Sequence, residues 1–315
     1  MKIIILDSAT LGEDIDLSPI YAVGEVTEYK STALSELTER IKNAEAIVVN
    51  KIRLGEKELK DAEALKLICV TATGYDNIDT RYCKDRGIAL CNVPAYSTDS
   101  VAQVTAAMAL SLVCHLKEYS EFVSSGEYST SGVANRLIPV YREISSMTWG
   151  VVGGGAIGSR VAEIATALGA KVIICRRQPD DRYENVSIDE LCERSDIISL
   201  HIPLTDETRG IISRVRIEKM KNSAIIINSA RGAVTDEDAL AEAILEDRIG
   251  GLAVDVYSTE PFGKDHPFNK ILDKSNVILT PHMAWGAAEA RARCVNTIAN
   301  NIICFIDQKR VNRIV

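Results

Sequence analysis

The sequence predicts an α/β protein built as two lobes, and three observations support this prediction. Short apolar, β-branched runs alternate with stretches of helical spacing, and they do so in two separate series. The runs are apolar along their whole length, as expected for strands of a parallel sheet that is covered on both faces. The chain has 315 residues, which is more than a single hydrophobic core normally organises.

The first series predicts four strands, at residues 2–6, 46–50, 67–71 and 88–91. Segments 35–44 and 56–65, which lie between these runs, have helical spacing. A long helix rich in Ala and Leu is expected over 101–116, with polar capping residues just before it. Residues 118–147 are polar and irregular, and we interpret them as an arm outside the core.

The second series predicts a Rossmann-type, doubly wound sheet of six parallel strands. The strand starts are 22 to 28 residues apart, which fits a strand, a turn and a returning helix. A last helix over 287–306 has no strand after it and is expected to return to the first lobe. The sequence thus predicts one domain from 1–98 and 288–315 and an inserted domain over 99–287. The six strands are expected at 149–153, 171–175, 196–200, 224–228, 251–256 and 276–280.

The composition excludes several classes of protein. The chain has 36 Lys and Arg residues against 44 Asp and Glu, a formal net charge of −8, and no basic run suited to a phosphate backbone. No apolar stretch approaches the ~20 residues that cross a bilayer, and the first apolar run is too short for an export signal. We therefore expect a cytoplasmic protein without nucleic-acid or membrane partners. The eight cysteines are scattered and lack zinc spacing, which favours buried thiols over a metal site.

A glycine-rich turn follows the first strand of the second series. Residues 153–158 read G-G-G-A-I-G and fit the pattern G-x-G-x-x-G, with a helix expected directly after them. The first glycine permits a tight turn, the second lets a pyrophosphate approach, and the third lets the helix pack on the strand. A turn that serves packing alone is the alternative. We favour a dinucleotide site at the helix N-terminus, formed by Gly153, Gly155, Ala156, Ile157 and Gly158.

The second strand of this series ends in two arginines, Arg176 and Arg177, and no acid occurs before Asp180. An acid at this place selects NAD by binding the ribose 2′-hydroxyl, whereas arginine suits the 2′-phosphate of NADP. The sequence therefore favours NADP as the cofactor. The alternative is a pair of solvated arginines, with the choice of cofactor made elsewhere.

Ligands of open α/β sheets bind beyond the carboxyl ends of the strands, and useful side chains follow three strands here. Arg231 follows the fourth strand, Glu260 comes shortly after the fifth, and His282 follows the sixth. Histidine can protonate a carbonyl near neutral pH, a carboxylate beside it favours the imidazolium, and arginine can hold an anionic substrate. The set predicts carbonyl reduction. The structural alternatives are an ion-pair arginine, an ordinary loop acid and a capping histidine.

Further motifs occur in a fixed order, and with them the chain resembles the D-isomer-specific 2-hydroxyacid dehydrogenases over essentially its whole length. The resemblance implies an inserted Rossmann domain and a smaller, flavodoxin-like substrate-binding lobe. It also implies an NAD(P)-dependent oxidoreductase that acts on a 2-keto or 2-hydroxy acid. The matching segments are 73–79, 87–94, 100–102, 153–158, 203–210, 228–232, 255–256, 260–261 and 281–282.

The resemblance also implies a role for individual residues. Arg231 would bind the substrate carboxylate and carbonyl, His282 would exchange the proton at the carbonyl oxygen, and Glu260 would pair with His282. Asp255 would contact the nicotinamide carboxamide. His201 is expected at the cofactor, in support of the backbone more than in catalysis. The remaining expected cofactor residues are Pro203, Thr208, Ser229, Ala230 and His282, and the remaining expected substrate residues are Asn50, Thr73, Gly74, Tyr75 and Trp285.

Fewer residues bear on the substrate. The H-x-A-W pattern from His282 to Trp285 and the pair Asn50–Lys51 resemble glycerate dehydrogenases and glyoxylate/hydroxypyruvate reductases. We therefore expect NADPH-dependent reduction of hydroxypyruvate or glyoxylate. The alternatives are a D-lactate dehydrogenase or a D-2-hydroxyacid dehydrogenase for branched substrates, either of them using NADH, a 3-phosphoglycerate dehydrogenase, and a dinucleotide-sensing binding protein. Residues 118–147 correspond to much of the dimer interface in relatives, so a homodimer is expected.

Overall fold

The computed structural model describes residues 1–178 and 181–315, and these form two compact units. Unit 1 comprises Met1–Ser97 and Gly286–Val315, and unit 2 comprises Thr98–Trp285. Each unit is organised around a parallel sheet of its own. The predicted α/β class with two parallel sheets is therefore confirmed.

The sheet of unit 1 has five strands, and its neighbouring strands are all parallel. The strands are β1 (Lys2–Ile5), β2 (Glu25–Glu28), β3 (Ala46–Val49), β4 (Leu67–Val70) and β5 (Ala89–Cys91). Their order is β2-β1-β3-β4-β5, which is the doubly wound order 2-1-3-4-5 of flavodoxin-like folds. Every residue of β3 and β4 is buried, which explains why these strands are continuous apolar runs in the sequence.

The sequence prediction missed β2 and overestimated one helix of unit 1. Strand β2 has the sequence EVTE and lies at the edge of the sheet with mostly exposed side chains, so it shows no apolar run. The segment 56–65 is helical only over Glu56–Leu59. The helices of this part of the chain are α1 (Ser18–Tyr21), α2 (Leu34–Ile41), α3 (Glu56–Leu59) and α4 (Thr80–Arg86).

Unit 2 begins with three helices: α5 (Thr98–Val113), α6 (Leu116–Ser124) and α7 (Glu127–Thr130). The prediction of an irregular segment from 118 onward is wrong for α6 and α7, although neither helix has a buried residue. Within the described residues, no single helix is long and apolar enough to span a membrane. The pair α5 and α6 reaches the required length and apolar composition only when both helices are counted together, and a bend of 63° separates them.

In the described part of unit 2, the sheet contains seven parallel strands in the order β12-β11-β10-β9-β6-β7-β8. The six predicted strands are present, and the seventh, β8, is a two-residue edge strand whose polar side chains give no apolar run. The strand order reverses between β6 and β9, which is where doubly wound sheets bind ligands. The strands are β6 (Thr148–Val152), β7 (Lys171–Cys175), β8 (Glu184–Asn185), β9 (Ile197–Leu200), β10 (Ile225–Asn228), β11 (Gly251–Val254) and β12 (Val277–Leu279).

Alternate residues of the central strands enter two different apolar clusters, one on each face of the sheet. Ile198 and Ile226 belong to one cluster, and their neighbours Ile197 and Ile225 belong to the other. The helices that follow the strands are α8 (Ala156–Ala167), α9 (Ile188–Arg194), α10 (Arg214–Lys219) and α11 (Glu237–Leu245).

The last helix, α12 (Ala288–Ile306), lies in unit 1 and packs against α1 and β4. The segment after it runs antiparallel to β5 in an isolated bridge between Cys91 and Arg313. The N–H of Ile314 donates to the main-chain oxygen of Leu90 at 2.7 Å, and Ile314 packs on the core of the unit. Unit 1 is therefore completed by residues that follow unit 2 in the sequence.

Candidate active site

The glycine turn connects β6 to α8, and two of its glycines are required by close backbone packing. Gly153 has φ +103°, and a Cβ there would lie 2.4 Å from the carbonyl oxygen of His201. A Cβ on Gly158 would lie 2.0 Å from the carbonyl oxygen of Gly153. At Gly155, by contrast, an added Cβ would have no heavy atom within 4 Å.

The surface at Gly155 fits a dinucleotide pyrophosphate. Gly155 is the N-cap of the 12-residue helix α8, whose first N–H groups have no partner within the helix. These N–H groups and the positive end of the helix dipole attract phosphate, and the bare glycine lets it approach. Ala156 and Ile157 form the first turn of this helix, as the sequence predicts for its phosphate-binding residues.

Arg176 is half-buried directly after β7, and its side chain lies against the glycine turn. A Cβ on Gly154 would be 2.7 Å from Cδ and Nε of Arg176. The N–H of Arg176 donates to Oδ1 of Asn185 in β8 at 3.2 Å, which ties the end of β7 to the edge strand. Arg177 is exposed. Asp180, the first acid after the strand, lies outside the described residues.

His201 follows β9 at the point where the strand order reverses. Its N–H donates to the main-chain oxygen of Val152 at 2.8 Å, which joins it to the start of the glycine turn. Neither ring nitrogen has a hydrogen-bond partner within residues 1–178 and 181–315. Burial lowers the pKa of His201 to about 3, so the imidazole is neutral near pH 7 and cannot serve there as a proton donor in catalysis.

The loop after His201 is closed by Thr208. The buried Thr208 hydroxyl donates to the main-chain oxygen of Pro203 at 2.7 Å and accepts the N–H of Thr205 at 2.7 Å. Thr208 therefore shapes the loop that carries Pro203. A direct contact of either residue with the cofactor stays a prediction.

Arg231 lies in a tight turn after β10. The Asn228 amide stabilises this turn by donating to the Arg231 carbonyl at 2.9 Å and accepting the Ala230 N–H at 3.0 Å. Nη1 of Arg231 donates to the Ala230 carbonyl at 2.8 Å. A Cβ on Gly232 would lie 2.0 Å from the carbonyl carbon of Tyr257, so the Arg231 turn packs directly on the backbone that leads to Glu260.

Ser229 lies in the same turn, and its hydroxyl is 3.1 Å from the hydroxyl of Thr105 in α5. Ala230 is buried, and its N–H and carbonyl both take part in hydrogen bonds within the turn. The cofactor contacts expected of these two residues stay predictions.

Glu260 and His282 form a hydrogen-bonded pair. Nδ1 of His282 is 2.6 Å from Oε2 of Glu260, and the two side chains are 27% and 29% exposed. The other oxygen of Glu260 accepts the N–H of Tyr257 at 3.0 Å. The carboxylate therefore orients the imidazole through Nδ1.

Asp255 holds the loop that carries His282. Its buried carboxylate accepts the Thr280 hydroxyl at 2.6 Å and the N–H groups of Met283 and Ala284 at 2.8 and 2.9 Å. His282 lies between these contacts with φ +53°, in the left-handed region that non-glycine residues rarely adopt. The expected contact of Asp255 with the nicotinamide stays a prediction, whereas its contact with the His282 loop is a feature of the structure.

Tyr257 provides a second support for this loop. Its hydroxyl donates to the main-chain oxygen of Thr280 at 2.9 Å. Burial, together with the charges of Asp255 and Glu260, raises the pKa of Tyr257 to about 12. The phenol therefore remains a neutral hydrogen-bond donor throughout the pH range in which the enzyme would work.

Glu237, the first residue of α11, is a further residue of the site that the sequence does not reveal. Its carboxylate accepts the N–H of Ser258 at 2.9 Å and the Ser258 hydroxyl, and it lies 3.2 Å from Nε2 of His266. Glu237 thus ties α11 to the loop that carries Glu260. In the sequence, Glu237 follows Asp236 at the start of a helix, where acids are common for capping and dipole reasons, so nothing distinguishes it.

The expected substrate residues of unit 1 follow β3 and β4. Thr73, Gly74 and Tyr75 are in the loop after β4, where the Thr73 hydroxyl donates to the Val93 carbonyl at 2.8 Å. Asn50 follows β3, is buried, and donates through Nδ2 to the Thr10 hydroxyl at 2.9 Å. Substrate binding by all four residues stays a prediction, as does that by the half-buried Trp285 at the end of unit 2.

Asp7 lies shortly after β1 and orders the segment that contains Asn50. Its buried carboxylate accepts the N–H of Asn50 at 2.9 Å and the N–H of Lys51 at 2.8 Å. Desolvation raises the pKa of Asp7 against the opposing effect of these hydrogen bonds. The sequence does not reveal this role of Asp7, because an acid after a first strand has no pattern that identifies its partners.

Comparison with known proteins gives consistent results. Residues 106–284 match the family described as "D-isomer specific 2-hydroxyacid dehydrogenase, NAD binding domain". A hydroxypyruvate reductase from Blautia hydrogenotrophica is 33% identical, over 99% of this chain and 99% of its own. A solved acyclic imino acid reductase in complex with NADPH and D-Arg has a TM-score of 0.87 at 30% identity and covers 100% of both chains. A D-lactate dehydrogenase from Aquifex aeolicus, solved with NAD and lactic acid, has a TM-score of 0.82 at 32% identity, covering 98% of this chain and 96% of its own.

The chain belongs to the D-isomer-specific 2-hydroxyacid dehydrogenases. It is an oxidoreductase with a nicotinamide dinucleotide as its cofactor, and relatives act on small 2-keto or 2-hydroxy acids. The family, the enzyme class and the general type of cofactor predicted from the sequence are therefore confirmed.

Proposed function

We propose that this protein reduces a small 2-keto acid, hydroxypyruvate or glyoxylate, to the D-2-hydroxy acid with NADPH. The observation that carries the proposal is the 2.6 Å pair of His282 and Glu260. The pair lies at the carboxyl edge of the sheet that also carries the glycine turn, and its loop packs on the Arg231 turn. A proton donor, an anion-binding arginine and a dinucleotide site are the parts that carbonyl reduction requires.

Each of these residues has a distinct task in the proposed reaction. Arg231 binds the substrate carboxylate and polarises the carbonyl, since a guanidinium can donate two parallel hydrogen bonds. The bound cofactor supplies the hydride for the carbonyl carbon. His282 delivers a proton from Nε2 to the carbonyl oxygen, so the product is a neutral hydroxyl. Glu260 accepts the hydrogen bond of the Nδ1–H group and so holds the imidazole ring in its orientation.

The His282–Glu260 pair favours a keto acid over an imino acid as the substrate. Hydride addition to a carbonyl creates an alkoxide, which needs a proton. Hydride addition to a protonated imine gives a neutral amine directly, so that reaction needs no further proton. A dedicated proton donor beside a carboxylate is therefore better explained by carbonyl reduction, although one similar structure is that of an imino acid reductase.

Two observations support the finer assignments of cofactor and substrate. Arg176 lies against the glycine turn, where a 2′-phosphate can be bound if the pyrophosphate lies at Gly155. The similarity to a hydroxypyruvate reductase extends over 99% of both chains. One similar structure is that of a D-lactate dehydrogenase, so the second candidate function is that of a D-lactate dehydrogenase that uses NADH.

We also propose that the protein is a homodimer. The arm formed by residues 118–147 exposes several apolar side chains, among them Leu137 at 69%, Ile138 at 70% and Val140 at 78% exposure. Such a cluster marks an interaction surface on a folded protein. A second copy of the protein would cover it.

A substrate panel tests the proposed function. Purified protein is mixed with hydroxypyruvate, glyoxylate, pyruvate or 2-ketoisocaproate, each with NADPH and with NADH, and the loss of reduced-cofactor absorbance is followed. We expect the highest kcat/KM for NADPH with hydroxypyruvate or glyoxylate. Preference for pyruvate or the branched acid would retain the mechanism and refute the substrate. Cofactor binding without turnover of any acid would refute the enzyme assignment in favour of a dinucleotide sensor.

A further inference from the structure

The glycine turn contains one glycine that neither the backbone nor the pyrophosphate requires. Gly153 and Gly158 are fixed by backbone contacts, and Gly155 provides the bare surface at the helix N-terminus. Gly154 has no positive φ, so its backbone conformation is open to other residues. The atoms that an added Cβ would meet at Gly154 belong to one flexible side chain, that of Arg176, with Cδ and Nε at 2.7 Å and Cζ at 3.0 Å.

We propose that Gly154 determines cofactor specificity by leaving the space that the side chain of Arg176 occupies. Arg176 thereby lies across the phosphate-binding turn and meets the 2′-phosphate of NADP. The inference rests on the proposed preference for NADPH and adds a residue that acts through Arg176. Gly154 itself is a positioning residue.

The backbone on either side of this contact is held in place. The N–H of Gly153 donates to the Cys175 carbonyl at 2.9 Å, which joins the glycine turn to the end of β7. The N–H of Arg176 donates to Asn185 at 3.2 Å on the other side. Because both main chains are tied, a larger residue at 154 cannot be accommodated by separating them. The guanidinium group has to move instead.

The place where Arg176 lies is chemically suited to a 2′-phosphate. In doubly wound folds the residue after the second strand of the nucleotide-binding half meets the adenosine ribose at its 2′ position. A guanidinium can form two charge-assisted hydrogen bonds with a phosphate monoester, and these are among the stronger polar contacts in proteins. Displacing it should therefore weaken binding of the 2′-phosphate while the pyrophosphate contacts at Gly155 persist.

Direct nucleotide binding tests the inference without catalysis. Isothermal titration calorimetry compares adenosine 2′,5′-bisphosphate with adenosine 5′-monophosphate, which lacks only the 2′-phosphate. The full-length protein is used as wild type, Gly154→Ala, Arg176→Ala and the double variant. We expect the wild type to bind the bisphosphate about tenfold or more tightly, a ratio that one charge-assisted contact supports. Gly154→Ala should lose most of that ratio and retain the affinity for the monophosphate.

The double variant separates an effect through Arg176 from any other effect. In the Arg176→Ala background, Gly154→Ala should leave both affinities unchanged, because no guanidinium is there to displace. Gly263→Ala is the matched control: an added Cβ there would meet no heavy atom within 4 Å, unlike one at Gly154, and Gly263 lies outside the glycine turn. Its affinities for both nucleotides should equal those of the wild type.

The outcomes distinguish this inference from the proposed cofactor. Equal binding of both nucleotides by the wild type would refute the NADP preference and the inference together. Discrimination that persists in Gly154→Ala would refute the inference alone. Equal loss of both nucleotides in Gly154→Ala, or a further loss in the Arg176→Ala background, would show that Gly154 acts on the turn itself and would also overturn the inference.

Discussion

His282 is held in its backbone conformation by residues that do no chemistry themselves. A non-glycine residue in the left-handed region costs about 1–2 kcal/mol. The three hydrogen bonds that Asp255 accepts from Thr280, Met283 and Ala284 stabilise the loop against this cost. The imidazole thereby meets Glu260 at 2.6 Å, in an orientation fixed by the protein itself.

Removal of the His282 imidazole should abolish proton donation with little effect on folding. We expect His282→Ala to lower kcat by about 10²–10⁴-fold, the usual contribution of a general acid, while the dissociation constant for NADPH changes little. Steady-state kinetics and fluorescence titration of the cofactor measure the two effects. His115→Ala, which changes a histidine between α5 and α6, is the control and should keep wild-type kcat. Unchanged turnover in His282→Ala would show that another group donates the proton.

His201 should make stability depend on pH. Because its pKa falls from 6.5 to about 3 on folding, the unfolded chain binds a proton between these values and the folded protein does not. The free energy of unfolding should therefore be retained above pH 6.5 and decline as the pH falls toward 3, by at most about 1.4 kcal/mol per pH unit from this residue. Urea unfolding at a series of pH values measures this decline.

The variant His201→Leu isolates this contribution, since all other titrating groups are common to both proteins. We expect the decline in unfolding free energy toward acid pH to be shallower in the variant than in the wild type. Parallel curves for the two proteins would show that His201 does not control the acid response.

At the level of elements, the candidate site depends on contacts between a helix start and a loop. Glu237 opens α11, which follows the Arg231 turn, and accepts two hydrogen bonds from Ser258 in the loop that carries Glu260. Gly232 lets the same two segments approach in direct contact. The helix start therefore fixes the spacing between the Arg231 turn and Glu260, the carboxylate partner of His282.

Loss of the Glu237 carboxylate should affect catalysis more than folding. We expect Glu237→Ala to lower kcat/KM by about tenfold, a loss equivalent to ~1.4 kcal/mol, because Glu260 is no longer held against His282. Glu237→Gln keeps one acceptor and should recover part of the activity. The control is Glu242→Gln in the same helix, which removes only an exposed pair with Arg214. If Glu237→Ala and Glu242→Gln have equal kcat/KM, Glu237 does not position Glu260.

The elements that sequence analysis found and missed differ in what holds them together. Strands such as β3 and β4 are buried on both faces, so all their residues are apolar and the sequence shows them as continuous apolar runs. Strands β2 and β8 lie at sheet edges and depend on backbone pairing to a neighbour, which leaves no apolar pattern.

The same distinction applies to the candidate site. Gly153, Arg231 and His282 could be found because they follow predicted strands at positions where chemistry is expected. Glu237 and Asp7 could not, because each acts on a loop far along the sequence that only the folded structure brings near.

For the whole molecule, the exposed apolar arm should control assembly. If Val140, at 78% exposure, lies in a dimer interface, an aspartate there would bury an unpaired charge on association. We expect Val140→Asp to sediment as a monomer of 34.4 kDa, with the wild type at twice that mass. Leu34→Asp, at a site in α2 with 72% exposure, is the control and should remain dimeric. Equal masses for wild type and Val140→Asp would place any interface elsewhere.

The division of unit 1 between two segments of the sequence has a consequence for biosynthesis. The strands β1 to β5 leave the ribosome first, yet α12 and the bridge from Arg313 to Cys91 become available only after all of unit 2 has been made. Until then one side of β5 lacks this partner, and such strand edges invite pairing with other polypeptides. Unit 2 is continuous in sequence and can complete its sheet during synthesis. The unit whose synthesis begins first is therefore the one that finishes folding last.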